Sequence, residues 1–440
     1  ASPAGDAVAF VHWEHPFMPW DAGAVALASV PAQGRIQIEA EFGGVSAPSW
    51  SPRFASTGTF SFQQTMSEWI SPMVLTQGGL TRFGDSADYA EVPWTSTERS
   101  HLVRSNGEVL AVARVEGVHQ LRSLSNAEAV INGAPVTIVD LCETDGTVVV
   151  LGATPQERTT LFALDDEEQC LVPLLPQHSR EVTPLHAQVI HGSDGRRIEG
   201  FLALPEGSVR PPLVVFCHGG PTGAVDPSFD PAVQVFCSRG FAVAAPNYRG
   251  STGFGRTYRT ALDGDWGIVD VNDVIEYASG LVDLGLVDGK ALFIRGGSAG
   301  GFTALKALAS GQFLGATGNY ACTDLVQLAM VTHDFELHYL DTLLGPLASS
   351  EDVCLDRSPI THPEQLKGSV LLLQGSEDVV VPASQTERLV KRCQEQGLDV
   401  SVRFFEGEGH GFRRASTLIE AWQTELDHYG GLLAGTLRAR

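Results

Sequence analysis

Residues 291–308 read Ala-Leu-Phe-Ile-Arg-Gly-Gly-Ser-Ala-Gly-Gly-Phe-Thr-Ala-Leu-Lys-Ala-Leu, and no other stretch restricts the fold as sharply. A buried strand, Ala291 to Ile294, has to run into a helix, Ala299 to Leu308, through a sharp turn with Ser298 at its tip. A serine on so tight a turn sits at strained backbone angles. Gly296 and Gly300 flank it because a Cβ at either position would strike the neighbouring strand or helix. The turn also aims the Ala299 N–H and the helix N-terminus at the point where negative charge develops on a carbonyl oxygen. In a chain with 47 glycines, Gly-x-Ser-x-Gly arises readily by chance, so its surroundings decide the reading.

From Pro211 onward those surroundings are strands alternating with helices. Leu213 to Cys217, Ala242 to Ala245, Ala291 to Ile294, Val370 to Leu373 and Val400 to Phe405 are short apolar runs. Helical spacing separates them, as in Val271, Val274, Ile275, Ala278, Leu281 and Val282. Continuous apolar strands between helices predict a doubly wound, mostly parallel sheet with ligands at the carboxyl ends of its strands. In that setting the serine turn is the nucleophile elbow of an α/β-hydrolase.

Three segments complete the serine. His218-Gly219-Gly220-Pro221 follows a strand 80 residues earlier, and its glycine pair lets backbone N–H groups approach a ligand. Gly220 and Ala299 are the predicted oxyanion donors. Asp378 lies 80 residues after Ser298 on a loop past Val370 to Leu373, and His410 follows 32 residues later among glycines. The order Ser298, Asp378, His410 is the hydrolase order, with His410 as base and Asp378 fixing its tautomer. Glu377 remains open as the alternative acid.

Residues 1–182 read as all-β. Val8 to Val11, Ala24 to Val30, Ile36 to Ala40, Thr59 to Phe62, Val109 to Val115, Thr147 to Leu151 and Thr160 to Leu164 are separated by Gly, Pro, Asn and Asp. A turn-then-strand unit recurs from positions 2, 51, 105 and 144, at a spacing of about 40–50 residues, which is how β-propeller blades read. A β-sandwich with regular hairpins is the alternative. The prediction is a partial β-propeller of about four blades over 1–182 and a catalytic domain over 183–440. The chain opens on a blade-like unit equivalent to the one at Ser51, so roughly three or four further blades are expected upstream, in a separate chain, or lost by processing. His12 and His15 have a spacing that could suit a metal, but with Trp13, Pro16 and Trp20 they read as a packed loop. Glu14 and Asp21 could face a central cleft and bind a substrate amine, but they read more readily as solvated or structural residues.

His218-Gly-Gly-Pro-Thr-Gly, Asn247-Tyr-Arg-Gly-Ser-Thr-Gly-Phe-Gly-Arg256, Trp266-Gly-Ile-Val-Asp-Val-Asn-Asp273, Arg295 to Gly301, Leu373 to Asp378 and Phe405 to Phe412 are similar to the prolyl oligopeptidase family. The branch that the sequence resembles is that of acylaminoacyl peptidases and dipeptidyl aminopeptidases. The likeness covers about 185–435 and extends thinly over Glu14 to Asp21 and Trp50 to Pro52. It implies serine peptidase chemistry on short peptides admitted beneath a propeller. The chain departs from the family in three ways. His218 stands where some members place an oxyanion-hole Tyr, the N-terminal part supplies fewer blades, and Glu68-Trp69 and Ser123 to Asn126 differ from the blade pattern.

A net charge of −23 argues against nucleic acid or an anionic membrane as partner. Seven scattered cysteines without a Cys-x-x-Cys predict reduced thiols in a cytoplasmic protein. No apolar run approaches the roughly 18 residues of a membrane span. No cofactor or metal is expected. The expected partners are a short peptide or small acyl substrate, a missing N-terminal propeller segment, and a second copy of the chain in a homo-oligomer. Esterase, amidase or acyltransferase chemistry on a small metabolite is the alternative activity, because fold and triad do not set the acceptor. A catalytically silent propeller scaffold is a third. Tyr320, Leu328, Met330 and Phe335, from the segment after a strand near Ala316 to Tyr320, can supply an apolar slot over Ser298. With Arg357 the one basic residue between Lys306 and Lys367, the expectation is a preference for apolar over charged P1 or acyl groups. The same four residues would also serve as ordinary helix core.

Overall fold

The computed structural model describes the chain apart from residues 85, 95–98, 126–127, 177–180, 333 and 439–440 and the side chains of 436–438. Asn126 and His333, within segments quoted above, therefore lie outside the described residues. Two compact units result. The first is Ala1–Val182 with Asp226–Phe229 and Thr252–Arg259; the second is Thr183–Val225, Asp230–Ser251 and Thr260–Arg440. The two short excursions belong to the first unit for a local reason. Their backbone N–H groups bond into it, Phe229 to Thr154 O at 2.9 Å, Gly255 to Asp88 Oδ2 at 2.9 Å and Arg256 to Glu68 O at 2.8 Å.

The first unit is a series of small antiparallel sheets, each made of consecutive strands. Ala7–His12, Ala24–Ser29 and Gln37–Gly43 form one. Ser49–Phe54, Phe60–Met66, Trp69–Thr76 and Gly79–Arg82 form the next, and His101–Val103, Val109–Val115, Val118–Ser123 and Ala129–Val130 the third. Thr137–Thr144, Thr147–Ala153, Thr160–Asp165 and Cys170–Pro173 form the last. Apolar clusters lie between successive sheets. Val25, Phe60, Phe62 and Met73 join the first two, Val74, Val103 and Val109 the next pair, and Leu110, Val112, Leu141 and Val150 the final pair. This is the packing of propeller blades. The sequence repeat is in mixed register against them. The unit at position 2 leads into the first strand of its sheet, whereas those at 51, 105 and 144 lead into second strands. The first strands were missed because Ser49–Phe54 carries a proline and a bulge between Trp50 and Arg53, and His101–Val103 spans three residues.

In the second unit a nine-stranded sheet runs His186–Ala187, Arg197–Ala203, Ala242–Asn247, Leu213–Cys217, Leu292–Gly297, Gly315–Asn319, Ser369–Gly375, Val400–Phe405, with Ile190–His191 paired to Arg197–Ala203. From Ala242–Asn247 to Val400–Phe405 every pairing is parallel. Parallel strands need crossovers, and helices on both faces supply them. Val269–Asp283, Ala299–Ala307 and Ala383–Glu395 bury Val274, Leu305 and Leu389 in the main core. On the other face Phe236 from Pro231–Ser238 and Tyr429 from Ala415–Arg438 pack around Phe293 and Phe241. The architecture is thus an α/β-hydrolase with an N-terminal partial β-propeller. No helix among the described residues is long and apolar enough to cross a membrane.

Candidate active site

Leu292–Gly297 lies between Leu213–Cys217 and Gly315–Asn319, so the turn that follows it emerges mid-sheet. Ser298 sits there at φ 54°, ψ −122°, a conformation that costs about 1–3 kcal/mol and persists only when its surroundings impose it. The surroundings are visible. Ser298 N–H donates to Asn319 O at 3.0 Å, and its carbonyl accepts from Phe302 N–H at 3.1 Å and Cys322 N–H at 3.3 Å. A Cβ on Gly296 would lie 2.2 Å from Gly300 O, and one on Gly300 would lie 2.3 Å from Cys217 O. Both glycines are therefore obligatory at this crossing of two strands and a helix.

Ser369–Gly375 delivers Asp378 and Val400–Phe405 delivers His410, each on the loop past its carboxyl end. His410 Nδ1 meets Asp378 Oδ2 at 2.8 Å. The other carboxylate oxygen accepts from the N–H groups of Val380 at 2.9 Å and Val381 at 2.8 Å. With its side chain fully buried and held by these donors, Asp378 accepts from Nδ1–H and leaves Nε2 as the basic nitrogen. Glu377, the alternative acid, is exposed, and its backbone N–H donates to Glu408 O at 2.9 Å. Tyr320 packs edge-on to His410 with centroids 5.0 Å apart, and its ring lies where a Gly297 Cβ would come within 2.7 Å. One side chain thereby braces both the His410 loop and the residue before Ser298.

Gly219 comes up against Ser298, its missing Cβ 3.9 Å from the serine Cβ, and Gly220 follows at φ 124°. Among the described residues no acceptor takes the Gly220 N–H, and Ala299, as the first residue of its helix, has no intrahelical acceptor. His218 is engaged elsewhere. Its ring stacks on Tyr248 at 4.1 Å and Nε2 meets Ser251 Oγ at 2.8 Å.

Gly220, Ser298 and Ala299 line a cavity of about 40 Å³. Its remaining wall includes Trp266, Cys322, Leu328, Glu336, Tyr339 and Val381. The Cys322 thiol, in hydrogen-bond contact with Ser298, is pushed up to about 12 by burial and stays protonated. Of the four residues predicted to make the slot, Leu328 is in the wall. Tyr320 stands behind the turn as described. Met330 is 70% exposed, because two positions along the helix Leu325–Val331 turn it about 200° away from Leu328. Phe335 belongs to the short turn Asp334–Glu336 and is not part of the wall. An acidic residue, Glu336, is also in the wall, which the expected apolar slot did not include. Trp266, Cys322 and Glu336 were missed as lining residues, although Cys322 follows the Gly315–Asn319 strand closely enough to have signalled its place.

Two motifs away from the turn support the loops. Asp273 accepts from Arg249 Nη2 at 2.8 Å and Arg196 Nη2 at 2.7 Å. Asp270 accepts from Thr303 Oγ1, on the helix after Ser298, at 2.6 Å and from Gly267 N–H at 2.7 Å. All seven cysteines are unpaired, and five of them are buried. Among the described residues no group of three or more His, Cys, Asp and Glu could hold a metal.

The prolyl oligopeptidase family model matches residues 227–436. A solved Mycobacterium tuberculosis puromycin-hydrolyzing peptidase is 32% identical, with a TM-score of 0.90 over 98% of this chain and 69% of its own. The chain belongs to the prolyl oligopeptidase family. A solved puromycin hydrolase is similar to the same degree, 31% identical with a TM-score of 0.91, over 98% of this chain and 69% of its own. Among curated family members, dipeptidyl aminopeptidase BIII of Pseudoxanthomonas mexicana is 27% identical over 55% of this chain and 36% of its own length. Acylamino-acid-releasing enzyme 1 of Oryza sativa subsp. japonica is 28% identical over 50% and 30%. The matched part is thus about a third of the length of those two relatives.

Proposed function

We propose that the chain is a serine peptidase that cleaves an amide bond of a short peptide through an acyl-enzyme. The observation that carries this reading is the 2.8 Å Asp378–His410 hydrogen bond, on loops beside the same sheet end as the Ser298 turn. Ser298 Oγ attacks the scissile carbonyl carbon while His410 Nε2 takes its proton. Asp378 holds the tautomer and stabilises the imidazolium. The Gly220 and Ala299 N–H groups receive the oxyanion. Collapse breaks the C–N bond, the leaving amine takes the proton from His410, and water repeats the sequence to free Ser298. The names of the relatives, which release acylamino acids, remove dipeptides or hydrolyse puromycin, support amides as the substrate class.

The test pairs fluorophosphonate labelling with a panel of aminoacyl, dipeptidyl and N-acyl-aminoacyl anilides and a simple ester. Labelling lost in Ser298→Ala together with anilide turnover supports the proposal. Ester turnover with every anilide refused would replace it with the esterase reading, and labelling retained in Ser298→Ala would remove Ser298 as nucleophile.

A further inference from the structure

Resting on that reading of Ser298, we infer that Tyr339 is a positioning residue whose hydroxyl fixes the loop carrying the Gly220 oxyanion donor. The loop Gly219-Gly220-Pro221-Thr222-Gly223 has little slack. A Cβ on Gly220 would lie 2.7 Å from Thr222 N, and one on Gly223 would lie 2.8 Å from Gly219 O. Gly223 N–H also donates to Pro221 O at 2.9 Å. With the chain folded this closely on itself, a shift at Thr222 is passed on to the Gly220 peptide. Before the glycines the loop is held through the His218 ring, stacked on Tyr248 and bonded to Ser251. After them it is held by Tyr339, 117 residues beyond Thr222 in the chain. Thr222 N–H donates to the Tyr339 hydroxyl at 3.1 Å, and the two hydroxyls share a second hydrogen bond at 2.6 Å. Both residues are buried, where losing a hydrogen bond costs more than it would in water.

Tyr339 holds from a firm base. It opens the helix Tyr339–Leu344, which buries Leu340, Leu343 and Leu344 and accepts Gly264 N–H at Thr342 O, 3.0 Å away. Tyr339 also lines the cavity that Gly220, Ser298 and Ala299 share. The side chain therefore has two separable parts, a ring that belongs to the pocket wall and a hydroxyl that belongs to the loop. Without the hydroxyl, the buried Thr222 N–H loses that acceptor, and the loop relaxes at the expense of the Gly220 N–H direction. The substrate oxygen carries its full negative charge only in the transition state, so the loss falls on kcat rather than on KM.

The experiment compares Tyr339→Phe, Thr222→Val and Thr222→Ser with the wild type on a peptide anilide that the wild type cleaves and on the trifluoromethyl ketone of the same peptide. Ser298 Oγ adds to the ketone carbon, the serine proton passes to His410, and the oxyanion formed stands where the transition-state oxygen would. Tyr339→Phe should lower kcat about 10–100-fold with KM within about threefold, and should weaken the ketone by the same factor as kcat/KM. Thr222→Val should show a smaller loss of the same kind, and Thr222→Ser, which keeps a hydroxyl, should recover it. A Tyr339→Phe variant with wild-type kcat, or with a loss confined to KM and ketone affinity intact, overturns the inference. Should Tyr339→Phe fail to fold, Thr222→Val breaks the same contact from the other side and is judged by the same two results. Fluorophosphonate labelling of the wild type and Ser298→Ala runs alongside. Labelling kept in Ser298→Ala would remove the nucleophile on which the inference rests, whereas labelling lost there leaves the kinetic result to judge Tyr339 alone.

Discussion

In the N-terminal unit every strand of a sheet pairs with its neighbour in sequence, whereas in the C-terminal unit the strand order crosses over repeatedly. The difference separates two kinds of information. Local hairpins build a scaffold from contacts a few residues apart, and their stability rests on clusters such as Val25, Phe60, Phe62 and Met73. Crossovers bring together what the chain keeps far apart. Ser298, Asp378 and His410 are contributed by three different strand ends, and none of them is placed by its sequence neighbours alone. Chemistry concentrated at one sheet end should therefore be separable from stability in the blades.

The most severe way to sharpen that contrast is at the proposed triad. Ser298→Ala and His410→Ala should each lower kcat by about 10⁴–10⁶-fold and Asp378→Asn by about 10⁴-fold, with thermal unfolding close to wild type. Steady-state kinetics beside calorimetry checks this, and a triad variant that unfolds early would break the separation. The reverse case is Phe62→Ala, which empties a fully buried site between two blades. It should cost about 3–5 kcal/mol in denaturant unfolding while kcat of the folded fraction stays near wild type.

The third test is electrostatic. His101 is buried in the first unit, where Gln63 Nε2 donates to Nδ1 at 3.2 Å and Nε2 meets Ser61 Oγ at 3.0 Å. Burial, with Arg53 nearby, pushes its pKa down to about 3. The unfolded state therefore binds the extra proton first. The stability His101 contributes is present above pH 6.5 and is lost as pH falls toward 3, by up to about 1.4 kcal/mol per unit. His101→Asn should flatten that slope in urea unfolding series between pH 4 and 7. In the second unit Asp270 has the opposite sign. Burial pushes it up to about 6, so its contribution is present below pH 4 and is lost as pH rises through 6. Asp270→Asn should leave the acid-side slope of His101 intact and remove the opposing one, and equal changes in both variants would break the comparison.

The elbow was legible because its constraint is steric and local. Gly296 and Gly300 can be read from the letters alone, and a Cβ at either would fall inside 2.4 Å of backbone oxygen. The strand Leu213–Cys217 was legible to the residue because a buried parallel strand is a continuous apolar run bounded by polar turns. The blade first strands Ser49–Phe54 and His101–Val103 were not, because one is broken by a bulge and the other lasts only three residues.

By itself, then, the sequence determined the serine turn, the order Ser298, Asp378, His410, the two classes of architecture and the family, because each depends on short-range sterics or on periodicity. Only the tertiary structure decided which carboxylate of Glu377 and Asp378 faces the histidine, that Tyr320 braces the turn, that Met330 points away, and that Glu336 lies in the cavity wall. Those outcomes depend on where a side chain points once distant segments have met. Neighbouring residues in a sequence can face opposite directions, and nothing short of the packed fold chooses between them.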